Sequence, residues 1–246
     1  MDNWILPENL KKSELEHRTS NSIIDVKNDF SSYRKLLEEN DVSKSMIKSH
    51  NDINPKNKLS LLKKITDRFL KIKNTKSILN VGCGVGFETK ALSEIYNCEI
   101  TGIEASSDGI AYAEKYNSST KTKFINQVID SDFLLGIKFD ICFAIEFYPF
   151  TRTKDLDFQK NIISAIFKNL NKGGSLIISH LDDDINSINS NVKELSSLLN
   201  KNSTVIHNYH PKIFRLVPSL ILTRLICLIV SKLFNKTFGK KIIIFN

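Results

Sequence analysis

Three glycines at alternate positions, Gly82, Gly84 and Gly86, mark the part of the sequence best suited to hold a ligand. They separate an apolar run at residues 78–81 from a helix-compatible stretch that begins at Glu88. Glycine permits positive φ angles and close approach of a ligand to the backbone, and the N–H groups that begin a helix favour a carboxylate or phosphate. The pattern predicts a strand, a tight loop and a helix that together cradle a ligand.

A carboxylate follows this loop at a separation along the chain that indicates the kind of ligand. Glu104 ends a second apolar segment at residues 99–103, about twenty residues after the glycines, where a side chain can accept hydrogen bonds from ribose hydroxyls. The dinucleotide motif G-x-G-x-x-G would need a glycine where Phe87 stands. The spacing therefore counts against a nicotinamide enzyme and favours another nucleoside ligand.

Strands and helices must position these residues, and the spacing of the apolar residues along the chain predicts where they lie. Strands are predicted at residues 78–81, 99–103, 124–129, 139–145, 175–179, 203–207 and 241–245, and helices at 59–72, 88–96, 157–170 and 192–200. A further helix is expected after the caps at residues 106–108. Strands that alternate with helices predict an α/β fold with a mostly parallel sheet.

The series of segments resembles the class I S-adenosylmethionine-dependent methyltransferases of the small-molecule type. The resemblance covers roughly residues 60–180 and is carried by residues 78–105, 139–143 and 172–178. It implies S-adenosylmethionine as the cofactor and a Rossmann-like, seven-stranded sheet with helices on both faces. In this fold the last strand is antiparallel and lies between the fifth and the sixth.

The same resemblance assigns the cofactor site to the glycine loop and to the ends of the first four strands. The residues are Asn80, Gly82, Cys83, Gly84, Gly86, Glu104, Ala105, Ile129, Asp130 and Ile145. Asp130 or Asp132 would lie beside adenine, with exposure in a loop as the alternative for both. Asn80 stands where the family usually has Asp or Glu, which weakens an ion pair with the cofactor's amino group.

Ligands of such sheets lie beyond the carboxyl ends of the parallel strands, and several reactive side chains are predicted there. Glu146 and Tyr148 follow the fourth strand, His180 follows the fifth, and His207 and His210 close or follow the sixth. A histidine of ordinary pKa suits a general base for a hydroxyl acceptor, and each of these histidines could equally be a surface residue. Glu146 could instead hold the amino group of the cofactor.

The segment after the predicted fourth strand indicates which class of methyl acceptor to expect. It runs from Glu146 to Pro149 and lacks the Asn-Pro-Pro-Tyr pattern typical of base and amide N-methylation. Nucleic acid is therefore not expected as a substrate. We predict transfer to a small molecule at a hydroxyl or other oxygen, in secondary metabolism or surface-glycan synthesis. A non-catalytic or membrane-associated partner subunit is the alternative that Asn80 suggests.

Composition adds weaker expectations. The 246 residues are 41% hydrophobic and 25% charged, which fits one domain with additions, and the net charge of +8 is interpreted as a solvated basic surface. The four cysteines form no C-x-x-C pair, so neither disulfides nor a metal site is predicted and a cytoplasmic compartment fits. No secretory signal is visible at the N-terminus, and the Lys-, Asn- and Ile-rich composition suggests a bacterial source.

Two regions are expected beside the sheet. Residues 1–58 are predicted to form a helical cap that either closes over the cofactor or simply packs on the sheet, with residues 59–246 as the core. An apolar helical insertion is expected at about 211–236. Pro218, Arg224 and Lys232 interrupt it, so it is predicted to pack on the core or a second subunit, as in a homodimer, rather than span a membrane. Peripheral contact with a membrane is the alternative.

Overall fold

The computed structural model describes residues 55–151, 154–181, 187–210, 213, 216, 219–234 and 240–246. Only residues 55–58 of the predicted N-terminal cap fall within these ranges, and residues 56–58 form the start of the first described helix. The remainder of that cap lies outside the described residues.

A seven-stranded sheet forms the centre of the molecule, in the order β3-β2-β1-β4-β5-β7-β6. Its strands are β1 Ser77–Val81, β2 Glu99–Glu104, β3 Thr122–Asn126, β4 Phe139–Ile145, β5 Leu170–Leu181, β6 Ser203–Tyr209 and β7 Lys240–Phe245. β7 is antiparallel to both of its neighbours, and the remaining pairs are parallel. The predicted fold class and the position of the last strand are confirmed.

Helices cover both faces of this sheet. They are α1 Lys56–Thr66, α2 Phe87–Tyr96, α3 Ser107–Tyr116, α4 Tyr148–Thr151, α5 Leu156–Lys168, a 3-10 turn at Ile188–Ser190, α6 Val192–Leu198 and α7 Leu220–Phe234. Leu79 and Val81 of β1 lie in the core that holds α5 and α6, whereas Ile78 lies in the core that holds α1 and α2. The central strands are continuous apolar runs because both of their faces are buried.

The ends of several strands differ from the prediction, since pairing rather than local sequence decides where a strand stops. β3 ends at Asn126 instead of residue 129, because Asn126 is opposite Glu104, the last residue of β2. β5 continues to Leu181, which is paired with Lys240 of β7, and β6 continues to Tyr209, which is paired with the same lysine. His180 and His207 therefore lie inside strands and not beyond them.

The predicted apolar insertion is represented by α7, which packs against β6. Residues 211–212, 214–215, 217–218 and 235–239 of the insertion lie outside the described residues. Within the described part of the chain, every helix is too short or too polar to cross a bilayer.

Candidate functional site

The glycine loop joins the carboxyl end of β1 to the start of α2. Gly82, Gly84 and Gly86 have φ angles of 68°, 53° and 86°, a backbone conformation that residues other than glycine rarely adopt. A Cβ on Gly82 would lie 2.5 Å from Cδ2 of Phe147, and one on Gly86 would lie 2.8 Å from the Cβ of Ala113. The tight backbone turn was predicted. The close packing of other side chains against Gly82 and Gly86 is a second reason why these two positions are glycines.

Glu104 lies directly beside this loop. Its carboxyl group is buried, and its Oε2 accepts a hydrogen bond from the N–H of Gly84 at 2.9 Å while Oε1 accepts one from the N–H of Ser106 at 3.0 Å. Each carboxylate oxygen has two lone pairs, so each keeps acceptor capacity after these bonds. The predicted partnership between the loop and the carboxylate is therefore present in the fold.

A polar residue that sequence reasoning missed holds the backbone around Glu104. Nδ2 of Asn126 donates to the carbonyl oxygens of Glu104 at 2.9 Å and Ala105 at 3.0 Å. The N–H of Gln127 donates to the same Glu104 carbonyl at 3.1 Å. These bonds fix the exit of β2. The position of Asn126 at the end of the neighbouring strand was the available signal, and the predicted end of β3 at residue 129 concealed it.

The environment of Glu104 alters its titration. Burial raises the pKa of Glu104 above its ordinary value of 4.5, because the charged form loses hydration, and the N–H groups of Ser106 and Gly84 oppose part of that rise. A ribose site needs the ionised carboxylate as an acceptor. If Glu104 accepts ribose hydroxyls as predicted, proton binding to its carboxylate would compete with binding of a nucleoside.

We expect a corresponding pH dependence of cofactor affinity. Lowering the pH protonates Glu104 at a pH above 4.5, so the dissociation constant for S-adenosylhomocysteine should increase as the pH falls through this range, by about tenfold per pH unit below the pKa. Calorimetric titrations at a series of pH values test this expectation, with Glu99→Gln as an exposed control on the same strand. An affinity that stays constant down to pH 4.5 would remove Glu104 from the site.

Two other predicted cofactor residues have side chains engaged within the protein. Nδ2 of Asn80 donates to Oγ1 of Thr89 at 2.9 Å and so connects β1 with α2. Cys83 packs with Ile110 and Phe124, and burial, followed by the negative charge of Glu104, raises the pKa of the Cys83 thiol. Cys83 consequently remains a neutral thiol. Its backbone is also engaged, because its N–H donates to the carbonyl oxygen of Ile103 and its carbonyl oxygen accepts the N–H of Gly86, both at 3.0 Å.

The other predicted cofactor residues vary in accessibility. Ala105 is half-buried directly after β2, whereas Ile129 and Ile145 are buried in the two hydrophobic cores. Asp130 is exposed, and its Oδ1 accepts the N–H of Asp132 at 2.9 Å in a turn four residues after the end of β3. Gln127 occupies the position directly after β3. A contact between adenine and Asp130 stays a prediction.

The edge of the sheet at which the parallel strands end is the predicted acceptor edge. It contains an ion pair directly after β4. Glu146 has a φ of 50°, and its N–H donates to the carbonyl oxygen of Ser179 at 2.8 Å. Its Oε1 lies 2.5 Å from Nζ of Lys240, which begins β7. A non-glycine residue in this conformation costs roughly 1–3 kcal/mol and is concentrated at functional sites. Sequence reasoning missed Lys240, although an antiparallel β7 must begin at the edge where the parallel strands end.

The predicted histidines lie at different places along this edge, and His180 directly follows Ser179, whose carbonyl oxygen accepts the N–H of Glu146. His180 lies in β5 with 1% of its surface exposed and is paired in register with Lys241. His210 directly follows β6 and is half-buried. β5 and β7 separate β6 from β4, so the ends of β6 and β4 are three strand spacings, about 14 Å, apart. Tyr148 is the first residue of α4. A catalytic role for each of these residues stays a prediction.

A metal centre has no support within the described part of the chain, where no cluster of three His, Cys, Asp or Glu residues has suitable geometry.

Comparisons with known proteins provide independent evidence on the fold. A family model described as "Methyltransferase domain" matches residues 72–226, which is more than half of the chain. A search of curated proteins gives no match.

Three solved structures illustrate the range of similarity. The plantazolicin methyltransferase BpumL, in complex with a pentazolic desmethylPZN analog and SAH, is 14% identical over 90% of this chain and 98% of its own, with a TM-score of 0.54. The sugar N-methyltransferase KedS8 from Streptoalloteichus sp ATCC 53650 is 24% identical over 52% of this chain, with a TM-score of 0.41, and this chain spans about half, 48%, of its length. A methyltransferase from Clostridium acetobutylicum ATCC 824, described as S-adenosylmethionine-dependent, is 21% identical over 74% of this chain and 64% of its own, with a TM-score of 0.43.

Proposed function

The chain belongs to the methyltransferase-domain family, whose class I members use S-adenosylmethionine, and from this premise we propose that it transfers a methyl group to an oxygen atom of a small molecule. The observation that carries the proposal is the buried carboxylate of Glu104, which accepts the N–H of Gly84 in the glycine loop. A carboxylate in this place, with acceptor capacity to spare, is suited to a ribose diol.

The residues present fit the cofactor. Glu104 offers acceptors for hydroxyl groups, and the first turn of α2 offers backbone N–H groups that have no partner within the helix and favour a carboxylate. S-adenosylmethionine supplies a methyl group activated by its sulfonium. The positive φ of Gly84 leaves no Cβ there to obstruct a ligand, whereas the ring of Phe147 packs on Gly82 and the N–H of Gly84 donates to Glu104.

Glu146 is the proposed base for the acceptor. The ion pair with Lys240 positions its carboxylate at the end of β4. Glu146 would accept the proton that the acceptor hydroxyl loses on methylation, while the methyl–sulfur bond of the cofactor would break and S-adenosylhomocysteine would be the leaving group. Placement of the acceptor close to the methyl group is the larger contribution, since positioning removes much of the entropic barrier.

We expect Glu146→Gln to lower kcat by about a hundredfold, the range typical of general acid–base catalysis, and to leave the affinity for S-adenosylhomocysteine within about twofold of wild type. Lys240→Met should lower kcat less, because the variant keeps the carboxylate and loses only the ion pair that positions it. Glu94→Gln is the control, since Glu94 forms an exposed ion pair with Lys56 at 3.0 Å far from this edge. Initial rates of S-adenosylhomocysteine release give kcat, and calorimetry gives the affinity.

A large loss of cofactor affinity in Glu146→Gln would contradict this assignment and favour the other role considered for Glu146, a contact with the cofactor's amino group. Unchanged kcat and unchanged affinity would remove Glu146 from the site altogether.

The acceptor class is proposed from two sources. BpumL was crystallised with a desmethylPZN analog, which supports a search among peptide natural products, and the sequence favours hydroxylated metabolites and glycans. The protein would be incubated with isotopically labelled S-adenosylmethionine and fractions of each class. Carbon NMR of the labelled product distinguishes an O-methyl from an N-methyl group, and a labelled N-methyl product would refute transfer to oxygen.

A further inference from the structure

Helix α7 presents its apolar side chains to the outside of the molecule. Its side chains Ile221, Leu222, Leu225, Leu228, Ile229 and Leu233 are between 45% and 74% exposed. Positions 221, 225 and 228, and positions 222, 225 and 229, recur at intervals of three and four, so they form one continuous face. The opposite side, which packs toward the sheet, includes the fully buried Thr223 and Cys227. The half-buried Ile226 and Val230 lie on that same side, so large apolar side chains are present on both sides of α7.

The net charge of the chain is concentrated in the same region. Residues 201–246 contain eight Lys and Arg residues and no Asp or Glu, and residues 1–200 contain 27 residues of each charge. The whole excess of +8 therefore belongs to the last 46 residues. Arg224 and Lys232 are exposed on α7 beside the apolar face, where long side chains can extend their charges past an apolar surface.

The charges disfavour a second copy of the chain as the occupant of this face. An antiparallel pair of α7 helices centred near Leu228 would place Arg224 opposite Lys232 of the partner subunit, and a parallel pair would place each cation next to its own equivalent. The helix has no acidic residue to compensate. Anionic lipid headgroups satisfy both cations while the acyl region accepts the leucine and isoleucine side chains.

We propose that α7 docks in the plane of an anionic lipid bilayer. Its 15 residues are about 22 Å long, less than the hydrocarbon core of a membrane, so the helix lies on the surface instead of spanning it. The segment that contains α7 leaves the sheet after Tyr209 and returns at Lys240, and these two residues are paired. Lys240 is also the partner of Glu146. The segment that contains α7 therefore joins the sheet at the same edge as Glu146.

Flotation with vesicles tests this proposal on the full chain. We expect the protein to float with phosphatidylcholine vesicles that contain phosphatidylglycerol, to float at least about tenfold less with phosphatidylcholine alone, and to be released by high salt. Leu225→Gln with Ile229→Gln should lower the bound fraction at least about tenfold, because two exposed apolar side chains are lost from the buried face. Arg224→Gln with Lys232→Gln should weaken the preference for the anionic lipid.

Leu134→Gln is the matched control, since Leu134 is 60% exposed on a loop away from α7, and it should bind vesicles as wild type does. Calorimetric titration with S-adenosylhomocysteine verifies that each variant is folded, and it separates a failure of this proposal from a failure of the proposed function. Absence of binding to anionic vesicles would overturn the proposal, as would equal binding by the Leu225/Ile229 variant. A concentration-dependent dimer in light scattering that this variant abolishes would also overturn it, by assigning the face to a second copy.

Discussion

The Glu104→Gln variant is expected to bind S-adenosylhomocysteine at least about a hundredfold more weakly than the wild type, a loss of about 3 kcal/mol. Both carboxylate oxygens accept backbone N–H groups, from Gly84 and from Ser106. A glutamine side chain has one oxygen and one NH2 group, so its NH2 group must face one of these donors. The variant therefore loses the negative charge, loses an acceptor for ribose, and leaves a buried N–H without a partner.

Glu99→Gln is the control for this experiment. Glu99 begins the same strand, where it is exposed, and has the same charge. It should bind S-adenosylhomocysteine as tightly as wild type in calorimetry. Affinities of the two variants that agree within about twofold would show that Glu104 is not a ligand of the cofactor.

Gly86→Ala is expected to lower the free energy of unfolding by about 2–4 kcal/mol. Gly86 precedes α2 with a φ of 86°, so any side chain is strained there. In addition, its Cβ would lie 2.8 Å from the Cβ of Ala113 and 2.9 Å from the ring of Phe124. Both neighbours are buried, and neither can move away without disturbing the packing of α3 against the sheet.

Gly136→Ala separates strain from steric conflict. Gly136 has a φ of 71°, and no atom lies within 4 Å of the position of its Cβ. This variant should lose only the conformational part, about 1–2 kcal/mol. Urea denaturation of both variants measures the difference. Equal destabilisation would contradict the close packing of the loop against Ala113 and Phe124.

Most of the sheet could be predicted from the sequence because its central strands are local apolar runs. β4 was predicted at residues 139–145, which are its bounds in the structure. β5 was predicted too short, since residues 171–174 have the composition of a turn, and Gly173 does have a φ of 82°. Its far end depends on the ladder with β7, more than fifty residues away along the chain. Local sequence contains no signal for such pairings.

The candidate site likewise contains residues that local sequence predicts and residues whose contacts depend on strand pairing. The glycine loop and Glu104 were predicted because their spacing is a local property, and the structure places them together. Lys240 was missed because its contact with Glu146 depends on the insertion of β7 beside β5. The positive φ of Glu146 was not predicted either, since glycine, asparagine and aspartate are the residues that signal this conformation in a sequence.

A crystal structure of the full chain with S-adenosylhomocysteine is the measurement that tests the central claim most directly. The account predicts density for the ligand over the glycine loop, with the ribose hydroxyls hydrogen-bonded to the carboxylate of Glu104 and the thioether sulfur facing the edge that holds Glu146. Density for the nucleoside elsewhere, or none at a saturating concentration of ligand, would contradict it.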